Sequence, residues 1–187
     1  MEESMSIMFS IESWYVLVPM FIGGVILLMK WRKEKESPIS FQQYVVVISF
    51  GIYLLSVIHL VFFPIDVNIG DYANQTPWYK TINFIPVLTI DVFTFLLNIL
   101  MLVPFGMYIP FLKSSVTSVK TVAKYGFMLS LSFEVLQMVI RITLGSGRSS
   151  DINDLLANTA GAVIGFLIIK AMLSYRPLKR MFIQFQL

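Results

Sequence analysis

The stretch of sequence that decides the fold is residues 130–158, SLSFEVLQMVIRITLGSGRSSDINDLLAN. It is a membrane-length apolar run that carries acidic, amide and basic side chains, followed by a glycine-containing turn and a second apolar run. A charged side chain near the centre of a membrane helix costs roughly 2.5–3.5 kcal/mol, so such groups need polar partners. The polar residues are Ser130, Glu134, Gln137 and Arg141 before the turn and Arg148, Asp151, Asp154 and Asn158 after it.

The whole chain shares this apolar character. Hydrophobic residues make up 57% of its 187 residues, charged residues make up 13%, and the mean hydropathy is +0.77. Soluble domains are about 45–50% apolar and about 25% charged, and a membrane-spanning helix needs about 20 apolar residues. The sequence therefore predicts an all-α, polytopic membrane bundle that forms one domain over residues 1–187. The five predicted spans are about Trp14–Met29, Tyr44–Ile65, Val92–Leu112, Val122–Leu144 and Leu155–Leu173.

The basic residues predict the orientation of the spans. Glu2, Glu3 and Glu12 precede the first span and basic residues follow it, so we interpret this span as a retained anchor and not as a signal peptide. With the N-terminus outside and the C-terminus in the cytoplasm, eleven of the fourteen Lys and Arg residues lie inside. The basic clusters border spans and match no nucleic-acid-binding motif, so no nucleic-acid partner is expected. The absence of cysteine excludes disulfides and thiol catalysis.

Helical periodicity places the polar residues in stripes. At about 100° per residue, the four polar residues of the fourth span fall on one face. Asp154, Asn158, Gly161 and Gly165 share one face of the fifth span. Because small residues four apart let another helix approach closely, the simplest packing sets this glycine face against the polar face of the fourth span.

The polar groups are expected near the outer membrane surface. At about 1.5 Å per residue, Asn98 and Asn158 lie roughly 7–9 Å inside the outer edge, Gln137 about 10 Å and Glu134 about 15 Å. His59, near the outer end of the second span, could join them, although a structural or interfacial role is favoured for this residue. The sequence thus predicts one polar cluster in the outer half of the bundle.

Two interpretations of this cluster are open. Its arginines could bind phosphate or carboxylate, and Glu134, Asp151 and Asp154 could ligate a metal ion or act as general acid and base. Alternatively the charges could form ion pairs that hold the helices together, Arg148 with an aspartate and Arg141 with Glu134. No cofactor is expected, and the metal question is open. The predicted ligand-binding residues are Asn98, Glu134, Gln137, Arg148, Asp151, Asp154 and Asn158.

An ordered set of these residues resembles the VanZ-like family of bacterial membrane proteins. The resemblance covers about residues 80–170, whereas residues 1–79 carry no motif for it. Asn153 departs from the family pattern, which often has a third acidic residue there, and Val87 stands where phenylalanine is often found. The matching residues are Asn83-Phe84-Ile85-Pro86, Asn98, Val103-Pro104-Phe105-Gly106, Ser130, Glu134, Gln137, Arg148, Asp151, Asp154, Asn158, Gly161 and Gly165.

The resemblance implies a multi-pass protein of the bacterial cell membrane with a role in the cell envelope. The family's namesake is an accessory glycopeptide-resistance protein associated with reduced susceptibility to teicoplanin. The expected partners are the lipid bilayer and either a lipid-linked cell-wall precursor or the glycopeptide antibiotic, with the oligomeric state open. One alternative is a hydrolase or transferase acting on a lipid phosphate headgroup. Another is a small transporter, although five short spans without an internal repeat argue against it.

Overall fold

The computed structural model describes residues 6–34, 40–70 and 76–187. Five helices in these ranges are long and apolar enough to cross a membrane. This confirms the predicted all-α membrane bundle and its five candidate spans. The helices are α1 Trp14–Glu34, α2 Phe41–Phe62, α3 Val92–Leu112, α4 Val119–Leu144, α5 Ile152–Ser174 and α6 Arg176–Phe182, and the strands are β1 Ser6–Ile11, β2 Ile65–Gly70, β3 Ile82–Asn83 and β4 Ser150–Asp151.

Capping side chains explain where several helices begin. Ser40 Oγ accepts a hydrogen bond from Gln43 N at 3.3 Å, and Gln43 Oε1 accepts one from Ser40 N at 2.9 Å, which forms a capping box before α2. Asp91 and Asp151 cap α3 and α5, each accepting a bond from the backbone N–H two residues further on. A carboxylate at this position satisfies a backbone donor and complements the helix dipole. The caps therefore define the helix starts more sharply than apolar length could.

The glycine face of α5 packs against α3. Gly161 lies against the Ile99 carbonyl oxygen, and Gly165 lies against the Val103 carbonyl oxygen. A Cβ atom on either glycine would collide with the backbone of α3. The prediction that these glycines pack against the fourth span is therefore wrong, and their partner is the third.

The polar edge of the same stripe does contact α4. Asn158 Nδ2 donates a hydrogen bond to Ser130 Oγ at 2.9 Å, and Ala162 lies opposite Gly126. The predicted meeting of the Ser130 and Asn158 faces is confirmed. The stripe is wide enough to serve two neighbouring helices, and periodicity alone does not say which neighbour covers each edge.

Four short strands were not predicted from the sequence. β1 pairs antiparallel with β2, with Ser6 opposite Gly70. β3 pairs parallel with β4, with Asn83 opposite Asp151. Each ladder joins segments far apart in the chain, so neither has the short turn that signals a hairpin. The second ladder positions the loop before α3 against the start of α5.

A side-chain hydrogen bond joins α2 to α3 near the middle of the bundle. Pro104 lacks the N–H that would bond to the Leu100 carbonyl, as expected for a proline inside a helix. The hydroxyl of Tyr53 donates to the neighbouring Met101 carbonyl oxygen at 2.8 Å. This bond fixes the separation of α2 and α3 beneath the cavity described below.

The orientation of the bundle stays a prediction that cysteine labelling can test. Three residues used for it, Glu2, Glu3 and Lys35, lie outside the described residues. Lys80 and Lys113 are exposed and lie in opposite end regions of the bundle. In the cysteine-free chain, we expect an impermeant maleimide to label Lys80→Cys in intact cells and Lys113→Cys only after permeabilisation. The reverse pattern would contradict the predicted orientation.

Candidate functional site

The predicted site residues gather at the end of the bundle where α2 and α4 end and α3 and α5 begin. α4 ends at Leu144, and the chain reverses before α5 starts at Ile152. Gly145 has a φ of 69°, and a Cβ atom there would collide with the Asn68 carbonyl of β2. This turn therefore requires glycine, and it brings Arg148 back alongside the end of α4.

A cavity of about 570 Å³ lies among these helix ends. Its walls combine leucines and other apolar side chains with a convergent set of charged and amide groups. Binding sites for small molecules typically have this mixture of apolar lining and few polar groups. Six of the seven residues predicted to bind ligand line the cavity: Asn98, Glu134, Gln137, Arg148, Asp154 and Asn158.

Asp151, the seventh, lies at the cap of α5 and is not among the cavity-lining residues. Its carboxylate oxygens accept hydrogen bonds from Asn83 Nδ2 at 3.0 and 3.1 Å. One of them also accepts a bond from Asn153 N at 2.8 Å. Asp151 therefore ties the loop before α3 to the start of α5, a role that its spacing from the other acidic residues did not reveal.

Asn153 completes this anchor, and sequence reasoning missed its role. Its side chain is only 3% exposed. Asn153 Oδ1 accepts a hydrogen bond from Val87 N at 2.8 Å, and Nδ2 donates to Thr89 Oγ1 at 3.1 Å. A carboxylate could accept the first bond but could not donate the second. The departure from the acidic family pattern thus has a local physical explanation.

Glu134 is positioned by the start of α5. Glu134 Oε2 accepts a hydrogen bond from Asp151 N at 2.9 Å, and Ser150 Oγ donates to the Glu134 carbonyl oxygen at 3.1 Å. One turn further along α4, Gln137 Nε2 donates to the Val61 carbonyl oxygen at 3.1 Å. These bonds hold the side chains of Glu134 and Gln137 in the cavity wall.

The two arginines bond to backbone carbonyls, not to the carboxylates proposed as their partners. Arg141 Nη1 donates to the carbonyl oxygens of Ser146 at 3.2 Å and Arg148 at 3.0 Å. Arg148 Nη2 donates to the Phe63 carbonyl oxygen at 3.1 Å. Arg141 is buried, and its two bonds hold the turn between α4 and α5 in place. This residue therefore has a structural role. Arg148 lines the cavity, and the suggested ion pairing of the charges is not the arrangement observed.

Two amides leave polar atoms unsatisfied at the cavity. Asn158 is 3% exposed, and its Oδ1 has no hydrogen-bond partner among the residues that the structure describes. Asn98 lies beside the Asp154 carboxylate, yet its Nδ2 makes no hydrogen bond of good geometry. Buried polar atoms are normally paired, and each exception requires an explanation. Both of these residues line the cavity.

His59 does not join the polar cluster. It lies with Ser13 and Ser56 in a separate, mainly apolar groove between α1 and α2. The sequence placed it at the correct end of its helix, but depth alone does not determine the face on which a side chain lies.

The site offers both hydrogen-bond donors and hydrogen-bond acceptors to a ligand. The guanidinium of Arg148 suits an anionic group. The carboxylates of Glu134 and Asp154 and the amide oxygen of Asn158 accept from hydroxyl or amine groups. Within the described part of the chain, no group of three or more His, Asp or Glu residues is arranged to hold a metal ion. Arg148 and these acceptor groups are chemically suited to a polar group that also bears an anion.

The comparisons with known proteins agree with the ordered motifs. A family model described as VanZ/LLP1 matches residues 50–174, from the middle of α2 to the end of α5. The match includes every lining residue of the cavity and starts about thirty residues before the first motif recognised in the sequence. Comparison with curated proteins and with solved structures finds no match. Because the matched segment covers most of the chain, the protein belongs to the VanZ/LLP1 family.

Proposed function

We propose that the protein binds the anionic group of an envelope ligand, of the lipid-linked precursor class, in this cavity and thereby lowers susceptibility to teicoplanin. The observation that carries the proposal is the placement of Arg148. Arg148 lines the cavity and its guanidinium bonds to a carbonyl oxygen, and no carboxylate among the described residues bonds to it. Family membership supports the link to glycopeptide susceptibility.

Arg148 suits an anion for geometric reasons. A guanidinium has five N–H donors in a planar fork and can bind phosphate or carboxylate through two parallel bonds. One nitrogen of Arg148 is held by the Phe63 carbonyl, which orients the fork while other donors can serve a ligand. The surrounding apolar wall lowers the local dielectric constant and strengthens a charge-assisted bond.

The carboxylates of Glu134 and Asp154 restrict the choice of ligand. Both line the same cavity as Arg148, and a bare polyanion would be repelled by them. A headgroup that combines a phosphate with hydroxyl or amine donors can satisfy the guanidinium and the carboxylates together. This requirement favours a lipid-linked sugar or glycerol phosphate over free inorganic phosphate.

A second candidate function is hydrolysis or transfer at a lipid phosphate headgroup. The observation that favours it is the presence of two carboxylates and one arginine around one cavity. Arg148 would orient the phosphate, and Glu134 or Asp154 would take the proton of the attacking water or acceptor hydroxyl as the P–O bond to the leaving alcohol breaks. Release of the headgroup alcohol or of diacylglycerol from a labelled phospholipid would support hydrolysis. Formation of a phospholipid with a different headgroup would support transfer.

The proposed function predicts that Arg148→Ala and Asp154→Asn abolish teicoplanin protection in a susceptible Gram-positive host. The first removes the anion-binding fork, and the second keeps the side-chain volume but removes the charge. The measurement is the inhibitory concentration, alongside membrane accumulation and the size-exclusion profile. Lys80→Ala is the matched control, because Lys80 is an exposed cation that does not line the cavity.

Two results would contradict the proposal. Full protection by Arg148→Ala would show that the cavity cation is dispensable. Loss of protection only in proportion to loss of compact protein would identify the cluster as a structural element of the bundle.

A further inference from the structure

The cavity has a buried wall and an exposed wall. Val61, Phe133 and Asn158 are 9%, 6% and 3% exposed and form its interior side. Leu60 of α2 and Leu100 of α3 also line it, yet they are 63% and 64% exposed. The polar interior therefore opens to the side of the bundle, between α2 and α3.

Counted from the start of α3, a helix long and apolar enough to cross a membrane, the lining leucines of this helix lie at the depth of the hydrocarbon core. Leu97, which is 48% exposed, and Leu100 also line the cavity. They lie five and eight residues into α3, which is about 7 and 12 Å below its start at 1.5 Å per residue. Lipid-facing positions at this depth contact acyl chains and not water. The bond from Tyr53 to the Met101 carbonyl closes the opening from below.

The interior of the opening requires a donor from its ligand. In the described part of the chain, the Oδ1 atom of Asn158 is an acceptor without a partner, on a residue that lines the cavity and is 3% exposed. An acyl chain cannot satisfy it, and a buried acceptor that is left unpaired is unfavourable. The charged groups that line the interior, Arg148, Glu134 and Asp154, suit a polar head, while the leucines at the opening suit an apolar chain.

We infer that the ligand enters from the bilayer between α2 and α3 and is a single phospholipid-like molecule. Its phosphate lies at Arg148, hydroxyl or amine groups of its head lie at Asn158 and the carboxylates, and its chain leaves past Leu60 and Leu100. This inference rests on the proposed function and adds the route of entry and the contacts of the attached chain with the leucines. A water-soluble headgroup lacks the contacts with the leucines and binds more weakly.

Photo-crosslinking of a lipid probe tests the inference. The full chain is placed in phosphatidylcholine nanodiscs containing phosphatidylglycerol with a diazirine in its acyl chain. Leu100→Trp narrows the opening with a bulky indole ring and should reduce crosslinking about tenfold, which corresponds to about 1.4 kcal/mol of binding free energy. Leu96→Trp is the matched control, because Leu96 is 52% exposed on the same helix and does not line the cavity; it should crosslink as the original chain does.

Two further arms separate the inference from the proposed function. Arg148→Ala should also lose crosslinking, and millimolar sn-glycerol 3-phosphate should fail to displace the lipid probe. Crosslinking of Arg148→Ala at the original level would refute the proposed function. Displacement by glycerol phosphate, with Leu100→Trp still binding the probe, would overturn only the lateral route. Leu97→Trp provides a second test at the opening if Leu100→Trp does not yield a monodisperse protein.

Discussion

Gly161→Leu is expected to leave little folded protein. The α-carbon of Gly161 lies so close to the Ile99 carbonyl that even a Cβ atom would collide with the backbone of α3. Overpacking a core with side-chain atoms costs about 1–3 kcal/mol. A collision with backbone costs more, because neither helix can yield by changing a rotamer. The two helices would have to separate along the length of their glycine contact.

The matched control for this variant is Ile164→Leu. Ile164 is 40% exposed on the lipid-facing side of α5, so exchange for an isomer of the same volume changes little. The measurement is the monodisperse fraction after size exclusion in detergent, normalised to total expression. We expect Gly161→Leu to lose most of this fraction and Ile164→Leu to keep it. Equal fractions would mean that α5 does not pack on α3 through its glycines.

Arg141→Ala is expected to lower the melting temperature more than Arg148→Ala. Arg141 is 9% exposed and donates to the carbonyl oxygens of Ser146 and Arg148. Hydrogen bonds to charged groups are worth about 1.5–3 kcal/mol each, and a buried acceptor left unpaired adds a desolvation penalty. Arg148 is less buried, and within the described ranges its side chain donates one bond, to the Phe63 carbonyl. We therefore expect Arg148→Ala to lower the free energy of unfolding by less than half as much as Arg141→Ala does.

The comparison of these arginine variants separates structure from recognition. Thermal unfolding in detergent measures the first, and teicoplanin protection measures the second. Arg141→Ala should lose both stability and protection, whereas Arg148→Ala should lose protection with most of its stability kept. Equal destabilisation by the two substitutions would argue that both arginines serve the turn.

Much of the candidate site could be predicted because membrane helices have strong constraints on composition and period. Six of the seven predicted ligand-binding residues line one cavity. They could be recognised because ionisable and amide groups are costly in hydrocarbon and because helical spacing places them on shared faces. The exception, Asp151, lies at a helix cap, where a short strand and a loop contact determine its direction. No helical period applies there.

The sequence by itself determined the five spans, the end of the bundle where the polar groups gather, and the family. Apolar length, helical rise and ordered motifs are properties of local sequence, so they can be read without neighbours. Only the tertiary structure decided that Gly161 faces α3, that Arg141 staples a turn and that Asn153 holds Val87. These pairings join segments distant in the chain, and several helix faces can accept the same small or polar residue. The choice among them depends on how all five helices pack at once.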